Sequence, residues 1–326
     1  MLLEVNNLNI YFKTEDKDKN VHAVRNFHFT VKEGEILGVV GESGSGKSIT
    51  NLALMGILPD TAIVTADRLK FNGTNLLSLS EKEWTHVRGG EIAMIFQDPM
   101  TALNPFLTIE YQLVETILAH QTMSKIAARE YAIKLLEDVG ITSPVERLKA
   151  YPFELSGGMA QRVMIAQALS SKPKLLIADE PTTALDVTIQ KQILTLIRDL
   201  QKKNNMAVIL VTHDLGIVAE YSDRIQVMYA GELVETGPTA KVIANPLHPY
   251  TRGLLNSRPD SKTIKPKSKL PSISGIVPQF NHRPNGCQFH PRCIYKSEQC
   301  EQENIHLNEV DGRIVRCIKN VLELNQ

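Results

Sequence analysis

The stretch that most constrains the fold is residues 36–54, ILGVVGESGSGKSITNLAL. Ile36 to Val40 is short, β-branched and apolar, as a strand buried on both faces must be. Gly41-Glu42-Ser43-Gly44-Ser45-Gly46-Lys47-Ser48 follows and fits G-x-x-x-x-G-K-[ST]. A helical stretch, Ile49 to Leu58, comes next and stops at Pro59. A chance glycine-rich turn lacks this strand-before, helix-after setting. Glycines let such a loop curl until successive backbone N–H groups point inward at an anion. The following helix turns its positive end to the same anion. Lys47 is placed to reach β and γ phosphates, and the Ser48 hydroxyl suits Mg²⁺.

The rest of the chain supplies the layers for that motif. Residues 1–10 alternate apolar and polar and read as an edge strand. Asp16 to Asn20 reads as a charged turn, and Val21 to Val31 as the second strand of a hairpin. Strands are expected at 90–96, 175–178 and 207–211, with helices over about 109–140 (Gly140 as C-cap), from Ser156, and over 189–203. Strands alternating with helices imply a parallel α/β sheet. The helical block at about 98–170 interrupts that alternation and reads as an insertion. Residues 258–271, RPDSKTIKPKSKLP, have five basic residues and no apolar periodicity, and read as a solvated linker, with a contact to lipid phosphates or a partner's acidic face as the alternative.

A carboxylate partner for the loop stands at 175–180, LLIADE. An acid at the end of an apolar strand lies at the sheet edge where ligands bind in open α/β folds. Asp179 suits Mg²⁺, directly or through water. Glu180 faces differently and can polarise an attacking water. Three further stretches matter. Ser156-Gly157-Gly158 opens a helix and is a second ready-made anion site. Gln97 follows a strand in IFQDP, and His213 ends the last core strand in VTHD.

In this order the P-loop, Gln97, LSGG, LLIADEP, Ala184-Leu185-Asp186 and His213 resemble the ATPase subunit of an ATP-binding cassette (ABC) transporter, over roughly residues 1–255. The resemblance implies a P-loop NTPase (RecA-like) α/β core with an antiparallel β subdomain, an inserted α-helical subdomain and a small cysteine-rich C-terminal extension. It implies an ABC ATPase domain at 1–257, the linker at 258–271 and a cluster-binding region at 272–326. It also implies that two homologous cassettes meet head to tail. The P-loop of one, Gly41 to Ser48, and Ser156, Gly157 and Gly158 of the other then enclose each ATP. By the same resemblance Gln97 senses the γ-phosphate and Mg²⁺, Asp186 lies in the loop that crosses the dimer, His213 orders Glu180 and the water, and Phe12 rather than Tyr11 stacks on adenine. The general family pattern is LSGGQ, and here the fifth residue is Met159, which cannot hydrogen-bond as an amide does.

NPLHPYTRGLL (245–255) and MIFQDPMTALNP (94–105) are similar to the branch that imports oligopeptides, dipeptides and nickel. That branch implies two transmembrane permease subunits, an extracytoplasmic peptide-binding protein and a second ATPase. Short peptides are the expected cargo, with nickel or a metal chelate as the alternative. A soluble ABC ATPase without a transporter fits less well. Lys plus Arg and Asp plus Glu are both 36, which gives no support for a nucleic-acid partner. The start shows no secretory signal, and no run reaches the roughly 20 apolar residues of a membrane span. The expected place is the cytoplasmic face of the membrane, held there by other chains.

All four cysteines, Cys287, Cys293, Cys300 and Cys317, fall in the last forty residues. Disulfides do not suit a reducing compartment. The spacing lacks the tight knuckles of common zinc sites and matches no common ferredoxin run, so the chemistry leaves Zn²⁺ and a [4Fe–4S] cluster both open. GCQFHPRC (286–293) resembles the start of the cluster-binding extension of some peptide-importer ATPases, which implies the cluster.

Overall fold

The computed structural model describes residues 1–15, 20–183, 185–257, 272–302 and 304–319. The expected linker at 258–271, Ala184 and most of the expected turn at Asp16 to Asn20 lie outside these. The chain divides into two compact units. One comprises Met1–Val31, Ile36–Leu77 and Thr212–Gln326, the other Lys32–Glu35 and Ser78–Val211.

The chain begins with strands β1 (Leu3–Phe12), β2 (Val21–Val31) and β3 (Ile36–Val40) and helix α1 (Lys47–Leu54). Short strands β4 (Ala62–Thr65), β5 (Arg68–Phe71) and β6 (Thr74–Asn75) follow. Next come α2 (Glu81–Val87), β7 (Ile92–Ile95), α3 (Pro99–Ala102), α4 (Ile109–His120), α5 (Lys125–Asp138), α6 (Pro144–Arg147) and α7 (Gly157–Leu169). Then come β8 (Leu175–Asp179), α8 (Val187–Asn204), β9 (Ala207–Thr212), α9 (Leu215–Tyr221), β10 (Arg224–Tyr229) and β11 (Glu232–Pro238). The last elements are α10 (Thr239–Ala244), α11 (Pro249–Asn256), α12 (Glu298–Gln302), β12 (Asn308–Val310) and β13 (Arg313–Val315).

In the first unit, β1 pairs antiparallel with β2, β4 and β5, so the expected hairpin opens an antiparallel sheet. A second set of strands runs β12-β13-β11-β10-β3, with β10 parallel to β3 and the others antiparallel. Its core gathers Val40, Val218, Ile225, Val227, Tyr229, Tyr250 and Phe289. In the second unit, β7, β8 and β9 are parallel neighbours, as their apolar runs require. Between β7 and β8 the chain is helical, with α4 on α5 and both on α7. Ile109, Leu113 and Ile117 on α4 and Leu135 and Leu136 on α5 are buried there.

Two of the expected helices differ from expectation. Helix α1 ends at Leu54, not Leu58. Gly56, at φ +62°, sends its N–H to the Ala53 carbonyl, and Ile57 sends its own to Leu52, the paired bonds of a glycine-terminated helix. Pro59 is therefore not the stop. The stretch 109–140 is two helices, because Ser124 caps α5 by accepting from the Ala127 N–H at 3.2 Å. Gly140 does follow the end of α5, at φ +76°, with the same paired bonding through Ile141.

The C-terminal segment is integrated with the first unit. β13 adds to β11 through Glu235↔Val315 and Thr236↔Ile314. Arg283, held below its usual range at about 10 chiefly by burial, donates to the carbonyls of Ala230, His22 and Ala23. Glu235, fully buried, accepts from the N–H groups of Leu247 and His248 at 2.9 Å each. That carboxylate pins NPLHPYT against the sheet. Arg313, also buried, stands 3.8 Å from Glu235 and donates to the Lys241 and Asn245 carbonyls.

Candidate active site

The loop between β3 and α1 is built from close backbone approach. A Cβ on Gly41 would collide with the Met228 carbonyl and the Ser45 hydroxyl, so only glycine fits. Gly46, at φ +97°, turns the chain into α1. Ser45 is buried and its carbonyl accepts from Gly231 N–H at 2.8 Å, so the β10–β11 turn backs the loop. Lys47 is 5 % exposed, and its Nζ donates to the Gly41 carbonyl at 2.8 Å and the Glu42 carbonyl at 3.1 Å. The ammonium is thus curled inside its own loop, while Ser43, Gly44 and Ser48 face solvent. A loop closed to side chains, opening a helix and holding an ammonium, fits a polyphosphate.

In the second unit, Asp179 is buried at the end of β8. Glu180 follows with φ +47°, a left-handed conformation that costs a non-glycine residue about 1–3 kcal/mol. Its N–H donates to the Val211 carbonyl at 2.9 Å, and Thr183 Oγ1 donates to Glu180 Oε2 at 3.0 Å. Gln97, exposed after β7, donates from Nε2 to the same Oε2 at 3.4 Å. The structure therefore brings Gln97 and Glu180 together.

Ser156 caps α7 by accepting from the Met159 N–H at 3.3 Å. That contact uses the backbone of the residue that departs from LSGGQ, so the cap is indifferent to its side chain. Gly157 and Gly158 open the helix, Gly157 exposed. Asp186 caps α8, accepting from Thr188 and Ile189 N–H groups at 3.0 Å each. In the first unit, His213 is exposed just after β9. Tyr11 stacks on His22 at 4.0 Å, whereas Phe12 is half-buried at the end of β1.

The four cysteines are free thiols. Cys287 N–H donates to the Cys300 carbonyl at 2.8 Å, and Ser297 Oγ lies 3.5 Å from Cys300 Sγ. Burial pushes the Cys287 thiol up to about 12, and Cys317, Cys300 and Cys293 add to the rise. Burial likewise raises Cys293 and Cys317. Yet among the described residues no group of three or more His, Cys, Asp or Glu side chains stands ready to hold a metal ion. The expected ligand set is not assembled in this conformation. Desolvation favours neutral thiols, and a metal would have to displace their protons.

Comparison with known proteins decides the family. The sequence matches the family described as ABC transporter over residues 24–183, and the oligopeptide/dipeptide transporter C-terminal region over residues 234–300. It is 50 % identical over 317 residues to the dipeptide transport ATP-binding protein of Escherichia coli, covering 97 % of this chain and 96 % of that one. The chain belongs to the ABC transporter family. This ABC protein is also 47 % identical over 324 residues to the oligopeptide transport ATP-binding protein of Salmonella typhimurium, covering 99 % and 95 %. An ATP-binding cassette solved as a dimer in a post-hydrolysis state, with ADP and phosphate, is 28 % identical and superposes with a TM-score of 0.62, covering 73 % of this chain and 98 % of that one. The cbiO1 subunit from Clostridium perfringens, part of an ABC transporter complex, is 29 % identical with a TM-score of 0.63, covering 75 % and 91 %. The P-loop NTPase fold of an ABC ATPase is thereby shown. No helix among the described residues is long and apolar enough to cross a membrane.

The sequence did not reveal the supports of the loop. Tyr250 accepts the Glu42 N–H at 2.9 Å through its hydroxyl, and Arg292 pairs with the Glu42 carboxylate. Both residues sit in stretches singled out for family likeness, NPLHPYT and GCQFHPRC, but nothing local says what they touch.

Proposed function

We propose that this chain is the ATP-hydrolysing subunit of an importer of dipeptides or oligopeptides. The observation that carries the reading is the loop at 41–48, a glycine cradle opening a helix with the Lys47 ammonium folded into it. Its cargo class rests on the relatives named above, which span nearly the whole chain. Lys47 would neutralise the β and γ phosphates, and the loop N–H groups would orient them. Ser48, Gln97 and Asp179 would hold Mg²⁺, which would supply positive charge to screen the phosphates. Glu180 is the group that takes the proton of the attacking water, with Gln97 and Thr183 holding its carboxylate. His213 would order Glu180. Phe12 would stack on adenine, since the Tyr11 face is already covered by His22.

In this reading a second, homologous cassette supplies the Ser156-Gly157-Gly158 helix N-terminus to each nucleotide, and the Asp186 loop crosses between them. Two permease subunits and an extracytoplasmic binding protein complete the system, and the chain works at the cytoplasmic membrane face. Residues 1–257 form the ATPase domain with its helical insertion, and 272–326 an extension. We assign that extension a [4Fe–4S] cluster on Cys287, Cys293, Cys300 and Cys317. Support comes from the burial that raises the Cys287, Cys293 and Cys317 thiols, the Cys287 N–H bond to the Cys300 carbonyl, and the match of 234–300 to the transporter C-terminal region. An anaerobic visible spectrum with metal analysis tests it, and one zinc per chain without broad absorbance overturns it.

Glu180→Gln should abolish turnover while retaining ATP binding, and Lys47→Ala should weaken binding itself. Wild-type hydrolysis by Glu180→Gln would refute the assignment of the base.

A further inference from the structure

The C-terminal segment reaches the phosphate loop directly. Phe289, 4 % exposed, stands edge-on to Tyr229 at 5.2 Å and lies 5.3 Å from Tyr250. Three residues on, Arg292 has a side chain only 4 % exposed. Its Nη1 donates to Glu42 Oε2 at 2.7 Å and its Nη2 to Glu42 Oε1 at 3.0 Å, a two-pronged fork. The remaining donors go to Tyr229 OH at 3.3 Å, the Ser274 carbonyl at 2.9 Å and the Ile273 carbonyl at 3.2 Å. The guanidinium is thus fixed on all sides.

Glu42 is the second residue of the loop, a position the phosphate-binding pattern leaves open. Here its side chain is held by Arg292, its N–H by Tyr250, and its carbonyl by Lys47 Nζ. One residue therefore links GCQFHPRC to the lysine of the cradle. A fork so buried and so directional fixes orientation more than a surface pair does.

We propose that Arg292 is a positioning residue for the phosphate loop, so that seating of residues 286–293 and nucleotide binding are thermodynamically linked. The proposal rests on the reading of residues 41–48 as the nucleotide cradle. Linkage is reciprocal: what the seated segment contributes to affinity, bound nucleotide returns as protection of the segment.

The test uses the full chain, a fluorescent ATP analogue with Mg²⁺, and amide exchange. Arg292→Gln should weaken nucleotide binding about tenfold. The ATPase KM should rise with it while kcat stays within about threefold, and Arg292→Lys, lacking the fork, should recover part of the loss. In the wild type, nucleotide should slow exchange at Cys287, His290, Arg292 and Cys293, whose N–H groups are all hydrogen-bonded in the seated segment. The slowing should match the fold-loss of affinity and vanish in Arg292→Gln. Should Arg292→Gln fail to fold, Glu42→Gln makes the same test from the other side, since Arg292 keeps its three other acceptors. Unchanged affinity in the folded variants, or exchange at 286–293 indifferent to nucleotide, overturns the proposal. Lys47→Ala separates the two readings: if it binds as wild type the cradle assignment fails, and if it alone loses binding only the brace fails.

Discussion

Removing the carboxylate of Glu235 should release the segment that follows the last sheet strand. Glu235 is fully buried, and each of its oxygens accepts one backbone N–H, from Leu247 and from His248. In Glu235→Ala both donors lose their partner inside the core, at about 1–3 kcal/mol each. Arg313, 3.8 Å away, loses its carboxylate but keeps the Lys241 and Asn245 carbonyls and Asp311 at 3.5 Å. Its orphaning is therefore incomplete, and the total should fall near the lower end of the roughly 3–5 kcal/mol typical of broken buried pairs. Three kcal/mol is about two decades in an opening equilibrium, so amides of 245–256 should exchange on the order of a hundredfold faster. Glu235→Gln keeps one acceptor oxygen and should lose about half as much free energy. Native-state hydrogen exchange resolved by segment is the assay. A change under about threefold in Glu235→Ala, or equal damage from Gln and Ala, would refute the assignment of Glu235 as the pin.

Three further outcomes are expected. Gly41→Ala should destabilise the chain by about 1–3 kcal/mol, because its Cβ meets a backbone carbonyl that cannot rotate away; chemical unfolding measures the loss, and nucleotide binding should fall with it. Phe289→Ala should cost about 3–5 kcal/mol by emptying the space between Tyr229, Tyr250 and His248, read as faster exchange throughout 286–302. His248, buried and held at about 3 by desolvation and then by Arg316, is uncharged in the folded state at pH values where an unfolded histidine takes a proton. Its contribution is intact above about 6.5 and is lost as pH falls from there toward 3. Denaturant midpoints between pH 6 and 4 should thus give a stability slope about 1.4 kcal/mol per pH unit shallower in His248→Asn than in the wild type.

Much of the nucleotide site was legible because its determinants are local. Strand β3 and the N-terminus of α7 fall where the pattern put them, since apolar runs and a Ser-Gly-Gly cap act over a few residues. Gln97 and Glu180, which meet in the fold, are both legible as strand-end residues, because strand ends are where parallel sheets gather polar groups. The hairpin of β10 and β11 was missed although Ala230 and Gly231, both at positive φ, form the two-residue turn that right-handed twist favours. Its signal is local. Strand β13 had no such signal, because its partner β11 lies some eighty residues earlier and only the pairing makes three residues a strand.

The sequence by itself determined the chemistry: a phosphate cradle, acids at a strand end and four thiols kept for one segment. The spacing of those residues is what the chemistry needs, so a linear string carries it. Only the tertiary structure decided that the C-terminal segment is part of the nucleotide-loop unit. Phe289 fills its core, Arg292 grips Glu42 across 250 positions, and Arg283 holds the turn behind the loop. Such couplings depend on burial, which turns an ordinary arginine and glutamate into a directional clamp, and burial is a property of the folded chain alone.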